Sequence, residues 1–189
     1  MKGRLLIGAL VSLAALVVVG VAFADFNRIR GTDGPDTIIG TGGPDLISAL
    51  KGDDTIDAEG GNDRVYAGAG NDRVLGGPGD DFIRGGDGAD VVDGQGGNDM
   101  LRGRDGNDVV QGGDGNDVIY VGRGADQEFG GPGNDRLHAL AADGQVDYVD
   151  CGPGNDVAIE NAAEHDRFVN CETVIRKVPT PQEQADDNG

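Results

Sequence analysis

An aspartate recurs every nine residues through the middle of the chain, and this register constrains the fold more than any other feature. A glycine stands two residues before each of these aspartates. An aliphatic residue stands two residues after it, with Glu128 as the one exception. The aspartates are Asp36, Asp45, Asp54, Asp63, Asp72, Asp81, Asp90, Asp99, Asp108, Asp117, Asp126 and Asp135. Residues 31–138 are therefore twelve nonapeptides of the form G-G-x-G-x-D-x-U-x, where U is aliphatic.

Composition excludes several classes of protein. The 189 residues include 36 glycines, and 34 acidic residues against 15 basic ones give a net charge of −19. Glycine costs roughly 1 kcal/mol against alanine inside a helix, so a helical bundle is disfavoured. The negative charge argues against binding nucleic acid or an anionic membrane surface, which both require cationic contacts. Low hydrophobicity with high net charge also fits disorder, but the unbroken register indicates a folded chain.

The repeated unit resembles the RTX, or haemolysin-type, calcium-binding repeat, whose signature is this nonapeptide. Residues 112–120 (GGDGNDVIY) match it at every defining position. The resemblance implies an all-β fold, a parallel β-roll (a β-helix solenoid) in which two nonapeptides make one coil. The chemistry agrees, because six residues rich in Gly, Asn and Asp favour a turn. The last three residues then form a short strand whose middle side chain points inward.

Since residues n and n+18 stack in such a roll, we expect two sheets with two inward ladders of aliphatic side chains. One ladder consists of Ile38, Ile56, Val74, Val92, Val110 and Glu128. The other consists of Ile47, Val65, Ile83, Leu101, Ile119 and Leu137. Because Glu128 ends the first ladder, we expect that part of the core to close nearby.

Coil stacking also aligns the repeat aspartates along each edge of the roll. Unit charges about 4.8 Å apart repel by roughly 1 kcal/mol in water and about 3.5 kcal/mol at an effective dielectric constant of 20. Ca²⁺ accepts six to eight oxygen ligands in flexible geometry, whereas Mg²⁺ demands octahedral geometry and Zn²⁺ prefers nitrogen and sulfur. We therefore predict calcium ions as the cofactor, with at most about ten between stacked aspartates of the regular repeats. For a single aspartate the alternative is an Asx turn without metal.

The predicted sites are unequal. The pairs closest to the repeat pattern are Asp81/Asp99, Asp90/Asp108 and Asp99/Asp117. Candidate carbonyl ligands beside them are Gly79, Gly88, Gly97, Gly106 and Gly115. Additional carboxylates stand three residues before the repeat aspartate at Asp87, Asp105 and Asp114. Sites are in doubt where the third position is Lys51 or Arg123, or where the second glycine is replaced by Leu50, Glu59 or Arg104.

The N-terminus has the layout of a secretory signal peptide. Basic Lys2 and Arg4 precede an apolar run, and Ala22-Phe23-Ala24 predicts cleavage before Asp25. The alternative is an uncleaved membrane anchor, because residues 5–24 are uncharged and long enough to span a bilayer. Either interpretation predicts export, and cleavage leaves a secreted, extracellular chain without a membrane contact. The predicted segments are a signal peptide (1–24), a lead-in (25–30), twelve repeats (31–138), irregular repeats with a cap (139–177) and a disordered tail (178–189).

The two cysteines, Cys151 and Cys171, lie after the regular run. In an oxidising compartment a disulfide is favoured, and two free thiols are the alternative. The resemblance to secreted bacterial members of the family implies that these cysteines pair. We expect them to hold a cap over the sheet edge that an open roll exposes. Before this cap the register slips by three residues, and Asp147 and Asp156 resume the repeat aspartate position.

The sequence does not favour an enzyme. His138 and His165 are the only histidines, and neither H-E-x-x-H nor G-x-S-x-G occurs. We expect a structural protein whose folding is driven by calcium. The alternative is an adhesin or matrix protein that uses an exposed sheet face to bind an unidentified protein or cell-surface partner. The apolar stripe of Phe82, Met100 and Val118 is the candidate face, and the alternative for this stripe is cross-strand packing that stiffens the sheet.

Overall fold

The computed structural model describes residues 17–19 and 26–181. Most of the predicted signal peptide and residues 182–189 of the predicted tail lie outside these ranges. Every named element is a strand: β1 (Val17–Val19), β2 (Asn27–Arg30), β3 (Thr37–Thr41), β4 (Asp45–Lys51), β5 (Thr55–Glu59), β6 (Arg64–Ala69), β7 (Arg73–Pro78), β8 (Phe82–Asp87), β9 (Val91–Gly96), β10 (Met100–Asp105), β11 (Val109–Asp114), β12 (Val118–Arg123), β13 (Gln127–Phe129), β14 (Arg136–Ala139), β15 (Tyr148–Asp150), β16 (Val157–Asn161), β17 (Arg167–Val169) and β18 (Thr173–Lys177). Within the described ranges, no helix has the length and apolar character needed to cross a membrane.

The strands form two parallel sheets of nine strands each. Sheet 1 contains the odd-numbered strands and sheet 2 the even-numbered strands, both in chain order. Successive strands therefore alternate between the sheets, and each pair of nonapeptides makes one coil. Met100 pairs with Phe82 on one side and with Val118 on the other, which is the eighteen-residue stacking expected from the sequence. The prediction of an all-β parallel β-roll is confirmed.

The core lies between the sheets and contains both predicted ladders, whose members are fully or almost fully buried. Glu128 also points inward and is fully buried. The expectation that the first ladder closes near Glu128 is wrong, because Val149 and then Phe168 continue it in register. The three-residue slip lengthens one coil by residues 139–141, and this brings Val149 beside Glu128.

The strands are longer than the sequence predicted. Instead of three residues, a regular strand such as Phe82–Asp87 has six, which leaves turns of three residues. Pairing between coils continues through the glycine-rich positions, as in the pair Arg104 and Gly122. The second position of the repeat accommodates this by adopting a positive φ, for example 134° at Gly86. This conformation is open to glycine without steric cost.

Four residues other than glycine adopt the same left-handed conformation at the second position. They are Leu50, Glu59, Gln95 and Arg104, with φ values of 90°, 72°, 73° and 95°. Each such residue costs of order 1–3 kcal/mol and is held in place by the surrounding structure. The replacements that cast doubt on individual sites therefore leave the backbone course of the turn intact.

Near the C-terminal end a disulfide joins Cys151 and Cys171, twenty residues apart, with Cα atoms 5.1 Å from each other. This confirms the predicted pairing. Strands β15 and β17 extend sheet 1, and β16 and β18 extend sheet 2. Beyond β18, Val178 is 82% exposed, whereas Pro179 is buried.

Candidate metal sites in the turns

Each repeat aspartate is linked to the aspartate one coil further along the chain. The main-chain N–H of Asp81 donates a 2.8 Å hydrogen bond to Oδ1 of Asp99, and Asp90 does the same to Asp108. One edge of the roll carries Asp36, Asp54, Asp72, Asp90, Asp108 and Asp126. The other edge carries Asp45, Asp63, Asp81, Asp99, Asp117 and Asp135. One carboxylate oxygen thus holds neighbouring coils in register.

The second carboxylate oxygen is different. From Asp54 to Asp135, Oδ2 of each repeat aspartate is buried and accepts no hydrogen bond. These ten side chains are at most 3% exposed. Burying an ionised oxygen without a partner is costly, so such atoms in proteins are normally paired or bound to a metal. Two rows of buried oxygens with spare lone pairs therefore follow the edges of the roll.

A main-chain carbonyl oxygen lies close to the carboxylate beside the first glycine of five of these repeats, those of Asp81, Asp99, Asp108, Asp117 and Asp135. A Cβ atom on Gly94 would overlap Oδ2 of Asp99 and lie 2.6 Å from the carbonyl oxygen of Gly112. On Gly112 it would meet Asp117 and the carbonyl oxygen of Gly130 in the same way. Glycine leaves this space unfilled in these repeats, whereas the first position is occupied by Ala49, Ala58, Ala67 and Val121 in four others. Carboxylate and carbonyl oxygens are the ligands that Ca²⁺ takes in proteins.

Burial raises the pKa of the repeat aspartates, while the N–H bond to Oδ1 opposes this shift and neighbouring carboxylates add to it in most turns. From an ordinary value of 3.8, the pKa rises to about 7 for Asp63, Asp90, Asp99, Asp108 and Asp126. It rises to about 6 for Asp54, Asp81 and Asp135. The interior of the turns therefore disfavours the bare anion and favours a carboxylate that holds a proton or a cation.

The remaining predicted ligands lie further out. Asp87, Asp105 and Asp114 are exposed, and Asp87 pairs in register with Asp105 on sheet 2. Asp105 also lies 3.6 Å from Arg123. The glycines of the fourth position stack tightly between coils, since a Cβ on Gly97 would overlap the carbonyl oxygen of Gly79. Gly88, Gly106 and Gly115 stack on their neighbours in the same way.

The aspartate rows continue past the regular repeats. Asp126 donates its N–H to Oδ1 of Asp147, which is linked in turn to Asp166. On the other edge Asp135 is linked to Asp156, whose N–H bonds to Glu172. Burial raises the pKa of Asp147 to about 8 and that of Asp166 to about 6. An apolar residue, Phe168, stands two places after Asp166, and this spacing is the sequence signal that could have identified Asp166.

Asparagines at the fifth position of the repeat form a second ladder that the sequence analysis did not assign. Oδ1 of Asn98 accepts the N–H of Asn116 at 3.0 Å, and Oδ1 of Asn116 accepts that of Asn134 at 2.9 Å. These bonds run on the outer side of the turns and fix the spacing between coils. They leave the carboxylates of the sixth position free to face the interior of the turn.

Among residues 17–19 and 26–181, no three His, Cys, Asp or Glu side chains converge as a preformed cluster of metal ligands. The donors beside Asp81, Asp99, Asp108, Asp117 and Asp135 are instead one buried carboxylate oxygen and one main-chain carbonyl oxygen. His138 lies elsewhere and stacks on the ring of Tyr120 at 4.2 Å. A cation in the turns would therefore be held entirely by oxygen.

The outward face of sheet 2 from β2 to β14 is basic and aromatic, and we call it the arginine face. Its rows contain Arg28, Leu46, Arg64, Phe82, Met100, Val118 and Arg136, and Arg30, Ser48, Tyr66, Arg84, Arg102, Tyr120 and His138. Guanidinium groups of Arg84 and Arg102 both lie 5.9 Å from the ring centre of Phe82. The apolar stripe predicted from the sequence is thus partly covered by arginines, with Met100 38% exposed.

A family model described as RTX calcium-binding nonapeptide repeat (4 copies) matches residues 22–49, 30–65, 39–74, 66–101, 93–128, 102–137 and 129–158. Together these matches span well over half of the 189 residues. The matched model indicates no enzymatic family. A search of curated proteins found no match. The nine-residue period, the stacked aspartates and the parallel roll agree with the family match, and the chain belongs to the RTX calcium-binding nonapeptide repeat family.

Proposed function

We propose that this chain binds Ca²⁺ in the turns between successive coils and that ion binding completes its folding. The observation that carries the proposal is the double row of buried Oδ2 atoms without a hydrogen-bond donor. Each ion would neutralise charge that the roll otherwise buries at a cost. Oδ2 of Asp99 and the carbonyl oxygen of Gly112 are an example of the oxygen atoms that would bind the ion.

The donors favour calcium over other metals. Carboxylate and carbonyl oxygens held by a flexible main chain suit Ca²⁺, which accepts variable coordination numbers. Mg²⁺ would retain water in a site of this kind, and Zn²⁺ would lack nitrogen and sulfur ligands. The regular repeats contain ten buried Oδ2 atoms of this type. We therefore expect no more than about ten ions in the regular run.

An extracellular setting suits this function. A disulfide persists in oxidising compartments, and the roll carries one between Cys151 and Cys171. We propose that residues 1–24 are a signal peptide and that the mature chain meets calcium after export. The chain would then act as a rigid, non-enzymatic calcium-loaded rod.

Calorimetric titration of the metal-free chain with CaCl₂, and separately with MgCl₂, tests the proposal. We expect binding of several calcium ions per chain, accompanied by a gain of β structure in circular dichroism. We expect much weaker uptake of magnesium. Absence of calcium uptake by the chain at neutral pH would contradict the proposed function.

A second candidate function is adhesion through the arginine face. Six arginines and no acidic residue occupy its two described rows, although the whole chain carries a charge of −19. Two such faces would repel each other, so we propose an acidic partner rather than a second copy. Guanidinium forks bind carboxylates in a bidentate manner.

Poly-glutamate provides a probe for this second function. We expect the calcium-loaded chain to bind it and the double variant Arg84→Gln/Arg102→Gln to bind at least tenfold more weakly. The matched control is Arg73→Gln, which alters the outward side of sheet 1. Equal binding by both variants would contradict a role for the arginine face.

Sedimentation of Phe82→Lys beside the wild type tests self-association, and we expect both to be monomers.

A further inference from the structure

The first two turns of the regular run satisfy their aspartates differently from the ten turns that follow. Thr32 donates its main-chain N–H to Oδ2 of Asp36 at 2.6 Å, and Thr41 donates to Asp45 at 2.6 Å. Each threonine hydroxyl also lies within 3.3 Å of both oxygens of the same carboxylate. We call these the threonine turns. Their Oδ2 atoms have a protein donor, whereas those of the next ten repeats have none.

The backbone of the threonine turns differs as well. In the third to twelfth repeats the second position has a positive φ, at Leu50, Glu59, Gly68, Gly77, Gly86, Gln95, Arg104, Gly113, Gly122 and Gly131. Thr32 and Thr41 do not, and neither do Gly34 and Gly43, whose counterparts from Gly52 to Gly124 all do. A β-branched residue with positive φ is a genuine outlier. Threonine at the second position therefore favours a turn whose N–H points at the carboxylate.

We infer that the threonine turns bind no calcium and that the calcium-binding carboxylates begin with Asp54 and Asp63. This inference rests on the proposed function and refines it. A hydrogen bond from N–H to a carboxylate is charge-assisted and about twice as strong as a neutral one. An ion at Asp36 or Asp45 would have to displace such a bond and the hydroxyl contacts, whereas an ion at Asp54 displaces no hydrogen bond from Oδ2.

The position of the threonine turns gives a role to threonine in place of the second glycine. The threonine turns belong to the first coil of the regular run, whose strands β3 and β4 pair with β1 and β2 on one side and with β5 and β6 on the other. Carboxylates that are satisfied within their own turn allow the first coil to hold its shape without an ion. The following coils can then stack on it as calcium arrives.

Two matched double variants test this inference through the number of bound ions. Asn is nearly isosteric with Asp and still accepts the N–H bond at Oδ1. Asp36→Asn/Asp45→Asn should leave the calorimetric calcium stoichiometry unchanged. Asp81→Asn/Asp99→Asn should lower it by at least one ion per chain. An equal loss in both variants would overturn the inference but leave calcium binding standing, whereas a wild type that takes up no calcium would overturn the proposed function itself.

A gain-of-site variant supplies a second readout. Thr32→Gly/Thr41→Gly restores the glycine that permits a positive φ and removes the hydroxyl that contacts the carboxylate. We expect it to bind one or two more calcium ions than the wild type. The control is Thr37→Gly/Thr55→Gly, which places glycine at outward strand positions and should leave the stoichiometry unchanged. A glycine variant of the threonine turns that gained no ion would overturn the role assigned to these threonines.

Discussion

The N–H of Asp90 donates a 2.8 Å hydrogen bond to Oδ1 of Asp108, while Oδ2 of Asp108 is buried without a donor. The two oxygens of one carboxylate therefore have separate roles. Oδ1 holds adjacent coils in register, and Oδ2 is available to a cation. This division explains how a strongly acidic chain can stack its carboxylates one above another.

Asp108→Asn separates these two roles. The amide oxygen can still accept the N–H of Asp90, but the variant loses the charge that we propose binds calcium. A site filled at 100 times its Kd contributes about 2.7 kcal/mol to the free energy of unfolding. We expect thermal denaturation in calcium to show a Tm lower by about 5–10 °C.

In the metal-free chain the same substitution should increase the residual β signal in circular dichroism, because it removes a buried charge. The control is Asp93→Asn, on the outer side of β9, where Oδ1 accepts the N–H of Gln95. This control should shift the Tm by less than a third as much in calcium. An Asp108→Asn variant whose Tm in calcium equals that of the wild type would contradict a metal-binding role for this carboxylate.

Gly94 and Gly96 lie in the same strand and offer a matched pair of alanine substitutions. A Cβ on Gly94 would overlap Oδ2 of Asp99, whereas a Cβ on Gly96 would meet nothing within 4 Å. We expect Gly94→Ala to lower the free energy of unfolding by about 1–3 kcal/mol and to weaken calcium uptake. Gly96→Ala should change neither quantity appreciably. Urea denaturation in calcium measures the free energy of unfolding of both variants. Equal losses in the two variants would contradict a metal site beside Gly94.

Acid should partly replace calcium. Burial raises the pKa of Asp99 to about 7 from an ordinary value of 3.8, so the folded chain binds this proton more tightly than the unfolded chain. The stability gained from this proton is complete below pH 4 and is lost as the pH rises through about 7.

Several repeat aspartates share this raised pKa. The metal-free chain should therefore gain β structure as the pH falls from 8 towards 4.5. Circular dichroism during an acid titration in chelator measures the gain. A metal-free chain that lost β structure on acidification over this range would contradict the direction assigned to these pKa shifts.

The disulfide should stabilise the C-terminal end of the roll. Closing a loop of about twenty residues contributes on the order of 3 kcal/mol. We expect Cys151→Ser/Cys171→Ser to lower the Tm in calcium by about 6–12 °C. Hydrogen exchange should show the lost protection concentrated in β15 to β18. A loss of protection spread evenly along the roll would argue against a local cap.

The periodicity was sufficient to predict the parallel roll and its inward ladders. An eighteen-residue stack follows from two nonapeptides per coil, and Ile38 above Ile56 is the direct result. It was not sufficient to predict the strand length, because hydrogen bonding through the glycines depends on φ at the second position. The spacing placed Asp147 and Asp156 beyond the three-residue slip, but it did not show that Val149 and Phe168 extend the first ladder past Glu128.

The site was predictable in outline only. The sequence predicts rows of aspartates, and the structure adds that from Asp54 to Asp135 the Oδ1 atom already accepts a main-chain N–H. A motif treats Asp36 and Asp81 alike, although Thr32 supplies a donor to one and nothing comparable reaches Oδ2 of the other. Such differences depend on the direction of single N–H groups, which residue spacing does not encode.

Circular dichroism of the full chain at neutral pH, first in calcium and then in excess chelator, tests the central claim most directly. The proposed function predicts that the β signal is largely lost on chelation and returns when calcium is restored. A β signal that stays unchanged after the ions are withdrawn would contradict it.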